Sequence, residues 1–189
     1  MTGLTLGIIG LALTALLCGV GSGLGLRATA SASAGVLAED PKKFGKVIIL
    51  TLLPATQGLY GFAIAFIGAS ALPTVANLQA AGITAAASDP VLSAQIMAQG
   101  WNVFMACLPM MIGGAVSAYL QGKASAATII AVGKNSETSK AFLFPAMIEF
   151  YALLGLVVSI ILFNHFPVSG IPSITVNPVV PAVAGVLGL

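Results

Sequence analysis

Glu149 is an acidic residue inside an otherwise uncharged, mostly apolar stretch that runs from Ala141 to the end of the chain. The stretch is long enough to cross a bilayer, and an ionisable group within such a span costs at least ~2.5 kcal/mol. Glu149 lies about nine residues beyond Lys140, or ~13 Å along a helix. A carboxylate at this depth indicates a functional site, such as one that binds a proton or a metal cation.

Three uncharged polar residues are expected at a similar depth on other helices. Thr56 and Gln57 lie about eleven residues past the lysines of the charged segment 39–46, near ~16 Å, and Gln121 precedes Gly133 by about twelve, near ~18 Å. Carboxylate, hydroxyl and amide oxygens are the ligands that hard cations prefer. The sequence therefore predicts a cation site built from three helices.

Two further residues support this site. Pro54 has no N–H, so it leaves the Leu50 carbonyl unpaired and distorts the helix, which makes backbone oxygens available near Thr56. Tyr60 is one turn after Thr56 on the same face, and its hydroxyl could hold the carboxylate in place.

A static salt bridge between Lys123 and Glu149 is an alternative explanation for both charges. Lys123 is about ten residues from its helix end, close to the depth of Glu149. It could instead extend its side chain towards the membrane surface, as could Arg27. Thr56, Gln57 and Gln121 could likewise form ordinary hydrogen bonds between helices, worth roughly 0.6 kcal/mol each.

The composition indicates an all-α membrane protein with four transmembrane helices. Hydrophobic residues make up 58% of the chain and charged residues 6%, against roughly 25% charged in soluble domains. Long uncharged stretches are separated by two charged segments, and Pro73 with the polar run 77–90 predicts a loop. Cys18 and Cys107 are expected to be packing residues, and a net charge of +2 without a basic face argues against a nucleic-acid partner.

The two charged segments, at about 39–46 and 133–140, are predicted to be cytoplasmic by the positive-inside rule. Residues 1–72 then form a first helical hairpin and residues 96–166 a second one. Residues 73–95 form an external loop and residues 167–189 an external tail. Both termini face outward.

The two hairpins resemble each other as internal repeats. Arg27-Ala28-Thr29-Ala30 echoes Lys123-Ala124-Ser125-Ala126, and Leu53-Pro54-Ala55 with Tyr60 echoes Phe144-Pro145-Ala146 with Tyr151. Because each hairpin crosses twice, the repeats are parallel rather than inverted. In this register Glu149 aligns with Gly58, so the first hairpin lacks the carboxylate.

These motifs resemble the proteolipid, or K, subunit of the membrane rotor ring of V-type and A-type rotary ATPases. The resemblance covers about residues 5–165 and depends on the segments 53–62, 121–123, 146–149 and 151–155. It is strongest for the sodium-translocating branch. That branch implies Na⁺ ligands at Glu149, Gln121, Thr56, Gln57 and the Leu53 carbonyl, with Tyr60 bonded to the acid.

The resemblance also implies how the protein works. We expect a homo-oligomeric ring in a prokaryotic plasma membrane, surrounded by lipid, that carries Na⁺ coupled to ATP hydrolysis or synthesis. Each chain would be a non-catalytic subunit without an organic cofactor. Its partners would be a stator subunit with half-channels and central-stalk subunits at the cytoplasmic loops. The alternatives are the same ring carrying H⁺, or a small ATP-independent cation channel or transporter.

The topology makes a direct prediction. Cysteines introduced at Lys43 and Asn135 should react with an impermeant maleimide only from the cytoplasmic side, and one introduced at Thr84 only from outside. Labelling of the Thr84 position from the cytoplasm would contradict the four-helix topology.

Overall fold

The computed structural model describes residues 3–70, 72 and 90–165, and all of their regular structure is helical. The five α-helices are α1 (Gly3–Glu39), α2 (Phe44–Leu52), α3 (Thr56–Ser70), α4 (Pro90–Lys134) and α5 (Leu143–His165). A short 3₁₀ turn, Leu53–Ala55, joins α2 to α3. These helices supply the four spans that the sequence predicted.

Among the described residues, four segments are long and apolar enough to cross a membrane, which confirms the predicted fold class. They are Gly3–Glu39, Pro41–Ser70, Ile96–Lys134 and Lys140–His165, called the first to fourth spans below. Large apolar side chains remain exposed along them, as expected where the solvent is lipid.

Each hairpin turns through a 3₁₀ segment, Pro41–Lys43 in the first and Ser136–Phe142 in the second. Both turns begin with the same cap. The Asp40 carboxylate accepts a hydrogen bond from the backbone N–H of Lys42, and the Asn135 side chain accepts one from that of Glu137. The two turns lie at one end of the bundle, which we call the charged end.

The helix that contains the third span extends beyond the span at its N-terminal end, since the span begins at Ile96. Helix α4 starts at Pro90, and proline suits this first helical position because its missing N–H would have no partner there. The rest of the expected external loop, including Thr84, lies outside the described residues. The expected tail at 167–189 does so as well.

The first and third spans pack closely through small residues. A Cβ atom added at Gly122 would collide with the backbone of Gly25, and one added at Gly21 would collide with the backbone of Ala115. Such small residues let two helix backbones approach each other in lipid, where the hydrophobic effect cannot drive helices together. The second and fourth spans pack against this central pair.

Two apolar clusters fill the interior on either side of a polar layer. The smaller cluster, near the charged end, contains the buried residues Val47, Leu50, Ile129 and Val132. The larger one lies farther along the spans and contains Leu11, Cys18, Ile64, Val103, Ala106, Cys107, Met110, Met111 and Phe163. Between them, along the second and third spans, lie the fully buried side chains of Gln57 and Gln121.

The close contact at Gly122 can be tested by adding a single methyl group. Gly122→Ala should lower the melting temperature of the detergent-solubilised protein, because overpacking a rigid backbone contact costs about 1–3 kcal/mol. Gly45→Ala is the matched control, since a Cβ at Gly45 meets no atom within 4 Å among the described residues. Circular dichroism during heating measures both, and equal melting temperatures would contradict the packing.

Candidate cation-binding site

The backbone around Pro54 forms one side of the site. The 3₁₀ turn Leu53–Ala55 interrupts the second span, and α3 restarts at Thr56, whose N–H donates to the Leu53 carbonyl. The Thr56 hydroxyl lies 2.9 Å from the same carbonyl oxygen. The proline therefore brings a backbone oxygen and a hydroxyl together, as expected from a residue that disturbs the helix.

Glu149 of the fourth span reaches across to this turn. Its two carboxylate oxygens lie 2.8 and 3.0 Å from the Thr56 hydroxyl. The Gln57 and Gln121 amide nitrogens donate to the carboxylate over 3.0 and 2.9 Å. Tyr60 lies on α3, one turn after Thr56. The predicted side chains therefore converge from three spans.

Gln121 connects these groups through both ends of its amide. Its oxygen accepts a hydrogen bond from the Gln57 amide, and its nitrogen donates to the Pro145 carbonyl over 3.1 Å as well as to Glu149. The Pro145 carbonyl is a site feature that was not predicted from the sequence. The repeat could have indicated it, because Pro145 aligns with Pro54, which also lies beside the site.

The oxygens around Thr56 are more numerous than its single proton can satisfy. Four of them lie within 3.3 Å of the hydroxyl: the Leu53 carbonyl, the Gln57 amide oxygen and both carboxylate oxygens. A hydroxyl donates one hydrogen bond at a time. Oxygens that ligate a cation of the size of Ca²⁺ at about 2.3–2.6 Å lie about 3–3.7 Å apart, and Na⁺ is of similar size. The four distances, 2.8–3.3 Å, are at or just below this spacing, and carbonyl, hydroxyl and carboxylate oxygens are the ligands that a hard cation prefers.

Lys123 does not pair with Glu149 in this structure. Its ammonium group lies 4.5 Å from the centre of the Tyr119 ring, on its own helix, in a cation–π contact, and its side chain is exposed. The static salt bridge considered from the sequence is therefore not formed. The Glu149 carboxylate is held by hydroxyl and amide donors instead.

The corresponding position in the first hairpin is closed. A Cβ atom added at Gly58, which aligns with Glu149, would lie 3.0 Å from the Ser22 hydroxyl. Gly25 corresponds to Gln121 in the repeat, and a Cβ atom added there would lie 2.7 Å from the Pro54 side chain. The first hairpin thus lacks both the acid and the amide, and side chains occupy the space beside those positions.

Within the part of the chain that the structure describes, the site lies beside the exposed face of the fourth span. The two apolar clusters lie along the helix axis in either direction from it. Glu149 itself is half-buried, and its neighbours on the fourth span, Met147, Phe150 and Tyr151, are exposed. An ion that enters or leaves along the axis would have to cross a packed apolar core, so the lateral face is the easier route.

The chain is similar to known subunits of membrane ATPases and ATP synthases. The model of the ATP synthase C-subunit family matches the chain twice, at residues 9–68 and 104–162. One relative is the V-type sodium ATPase subunit K of Enterococcus hirae, 37% identical over 161 residues that cover 85% of this chain and 91% of that protein. Another is the A-type ATP synthase subunit K of Methanocaldococcus jannaschii, 36% identical over 84% of this chain and 62% of that protein.

Proposed function

The chain belongs to the ATP synthase C-subunit family, and from this membership we propose that its Glu149 site binds Na⁺ and carries it across the membrane as part of a rotor ring. The observation that carries the proposal is the set of oxygens, from Leu53, Gln57 and Glu149, that meet at the Thr56 hydroxyl. One relative is named a sodium ATPase subunit, which supports the same ion.

Charge neutralisation is the physical basis of the mechanism. A bare carboxylate that faces hydrocarbon is costly, whereas a carboxylate with a bound Na⁺ has no net charge. The loaded site can therefore turn past lipid, and the empty site must meet a polar or charged surface. We assign that surface to half-channels in a separate stator subunit, which the position of the site beside the exposed face of the fourth span favours.

Gln57, Gln121 and the Leu53 carbonyl are the groups that favour Na⁺ over a proton. A proton needs only the Glu149 carboxylate, while a metal cation needs several oxygens around it. The same ring carrying H⁺ is the second candidate, and it makes no use of the Gln57 and Gln121 oxygens. Tyr60 would hold the carboxylate in orientation whether or not an ion is bound.

The orientation of the ring and the membrane that contains it can also be proposed. We place the charged end of the bundle in the cytoplasm, both chain termini outside, and the ring in a prokaryotic plasma membrane. The lysines at the charged end support this orientation. Central-stalk subunits would then meet the ring at the two 3₁₀ turns.

Glu149→Gln should abolish coupled ion transport and leave an assembled ring, because the amide keeps the shape and loses the charge. Uptake of ²²Na⁺ into vesicles driven by ATP measures the loss. Glu137→Gln is the matched control, since Glu137 is an exposed acid in the turn of the same hairpin. Undiminished uptake by the Glu149 variant would contradict the mechanism.

Carbodiimide labelling tests the identity of the ion. The reagent attacks a protonated carboxyl, so labelling of Glu149 should be slowed by Na⁺ and accelerated as the pH falls. Replacing Gln57 and Gln121 with Leu should remove the protection by Na⁺ and keep the pH dependence, because the carboxyl remains and its other oxygen ligands do not. The labelled fraction of the chain, measured by mass spectrometry, reports both effects.

Thr128→Val is the control for this experiment. Thr128 is a buried polar residue on the same span as Gln121, and its hydroxyl donates to the Ala124 carbonyl of its own helix. Its replacement should leave the protection by Na⁺ unchanged. If Na⁺ fails to protect even the wild-type ring at neutral pH, the site carries protons and the sodium assignment is wrong.

A further inference from the structure

Buried hydroxyl groups of the first span lie against the second span just before its interruption at Pro54. The Thr29 hydroxyl is fully buried and lies 3.0 Å from the Thr51 carbonyl oxygen, 22 residues away in sequence. The Ser33 hydroxyl lies 2.6 Å from the Thr51 hydroxyl, which donates to the Val47 carbonyl over 2.8 Å. Two hydroxyls of α1 are thus in contact with the last turns of α2.

The Thr51 carbonyl needs a donor from outside its own helix. Helix α2 ends at Leu52, and the last four carbonyls of a helix have no partner within it. In a regular α-helix the Thr51 carbonyl would accept from the N–H of Ala55, but Ala55 belongs to the 3₁₀ turn, whose bonds span three residues instead of four. A buried carbonyl without a donor is costly, and the Thr29 hydroxyl supplies one.

Two other carbonyls lie near the Thr29 hydroxyl, but both already have donors. The oxygens of Gly25 and Leu26 lie 3.4 and 3.0 Å from it. Both residues are in the middle of α1, where the N–H four residues on serves each carbonyl. A hydroxyl donates one hydrogen bond at a time, so its proton contributes most at the Thr51 carbonyl.

The second hairpin provides a comparison within the same chain. Ser125 corresponds to Thr29 in the repeat, and its buried hydroxyl has no hydrogen-bond partner among the described residues. Pro145, which corresponds to Pro54, lies in the first turn of α5, and the helix continues from it without interruption. The hydroxyl contact and the interruption therefore occur together in the first hairpin, and neither occurs in the second.

We propose that Thr29 is a positioning residue for the ion site, because its hydroxyl stabilises the 3₁₀ turn at Pro54 and so keeps the Leu53 carbonyl directed at the ion. The inference rests on the proposed function, in which that carbonyl is a ligand. Thr29 acts through the backbone of the second span and is not itself a ligand. Ser33 supports the same turn less directly, through the Thr51 hydroxyl.

Loss of the Thr29 hydroxyl would change the N–H group that the Leu53 carbonyl meets. The Thr51 carbonyl would take the N–H of Ala55, as in a regular α-helix. The Leu53 carbonyl would then pair with the N–H four residues on, instead of with that of Thr56. A carbonyl in such a bond points along the helix axis, so the site would lose one oxygen and bind Na⁺ more weakly.

Carbodiimide labelling of Glu149 in assembled rings tests this role. The Na⁺ concentration that halves the labelling rate measures the affinity of the site. Thr29→Val keeps the shape of the side chain and removes the donor, so this concentration should rise roughly three- to tenfold, as for the loss of one hydrogen bond. The pH dependence of labelling without Na⁺ should remain that of the wild type, because the carboxylate and its own donors are unchanged.

Three further variants separate positioning from packing. Thr29→Ser keeps the hydroxyl and should restore the protection by Na⁺. Thr14→Val is the matched control, since Thr14 is a fully buried threonine of the same span whose hydroxyl donates to the Gly10 carbonyl of its own helix. It should leave the protection unchanged. Pro54→Ala permits a regular helix, so adding Thr29→Val to it should cause little further loss.

Ser33→Ala is a milder test that does not depend on the Thr29 variant assembling. It removes the contact with the Thr51 hydroxyl and leaves the Thr29 contact in place. The Na⁺ concentration for half protection should rise about twofold. No rise in either the Ser33 or the Thr29 variant would overturn the inference.

Other results would overturn it as well. An equal loss of protection in Thr14→Val would show a general effect of removing a buried hydroxyl from the first span. A changed pH dependence of labelling without Na⁺ would show that the carboxylate itself is disturbed. Wild-type rings that Na⁺ does not protect would overturn the proposed function and the inference together. Protected wild-type rings with an equally protected Thr29→Val variant would overturn the inference alone.

Discussion

The cost of placing a carboxylate in a membrane governs the structure of this protein. Glu149 is held by a hydroxyl and two amides from other spans, which replace the water that it would have outside the bilayer. These donors have to come from several helices, because one helix cannot surround its own side chain. The spans must therefore pack so that one polar layer forms at a single depth.

Close packing of the first and third spans is what makes this layer possible. The contact between Gly25 and Gly122 lies beside Gln121, so the third span is positioned where its amide can reach the second and fourth spans. The interruption at Pro54 adds a carbonyl oxygen that a regular helix would have kept for its own hydrogen bonds. Glycine and proline thus contribute to the site through the backbone.

The two hairpins share one fold, but they contribute different groups to the site. Both turn through the same type of cap and both have a proline beside the site, but only the second provides an acid and an amide at the equivalent positions. The protein therefore has one site carboxylate for its four spans. Moving one charge across 100 mV is worth ~2.3 kcal/mol, so a ring with fewer carboxylates gains less free energy from the membrane potential in each turn.

The sequence by itself determined the helical class, the four spans, the repeat and the depth of the site residues. These features depend on local properties, namely apolar run length, the positions of charges and the 1.5 Å rise of a helix. Sequence could also name Glu149, Thr56, Gln57 and Gln121 as partners, since few polar residues occur at that depth.

Only the tertiary structure decided which oxygen of each group faces which donor, that Lys123 turns away to Tyr119, and that Lys43 reaches Gly133. It also showed that the Pro145 carbonyl takes part and that α4 begins at Pro90. These features depend on how the helices rotate and approach one another. That arrangement is set by side-chain packing between segments that are far apart in the chain. A local sequence pattern does not specify such packing.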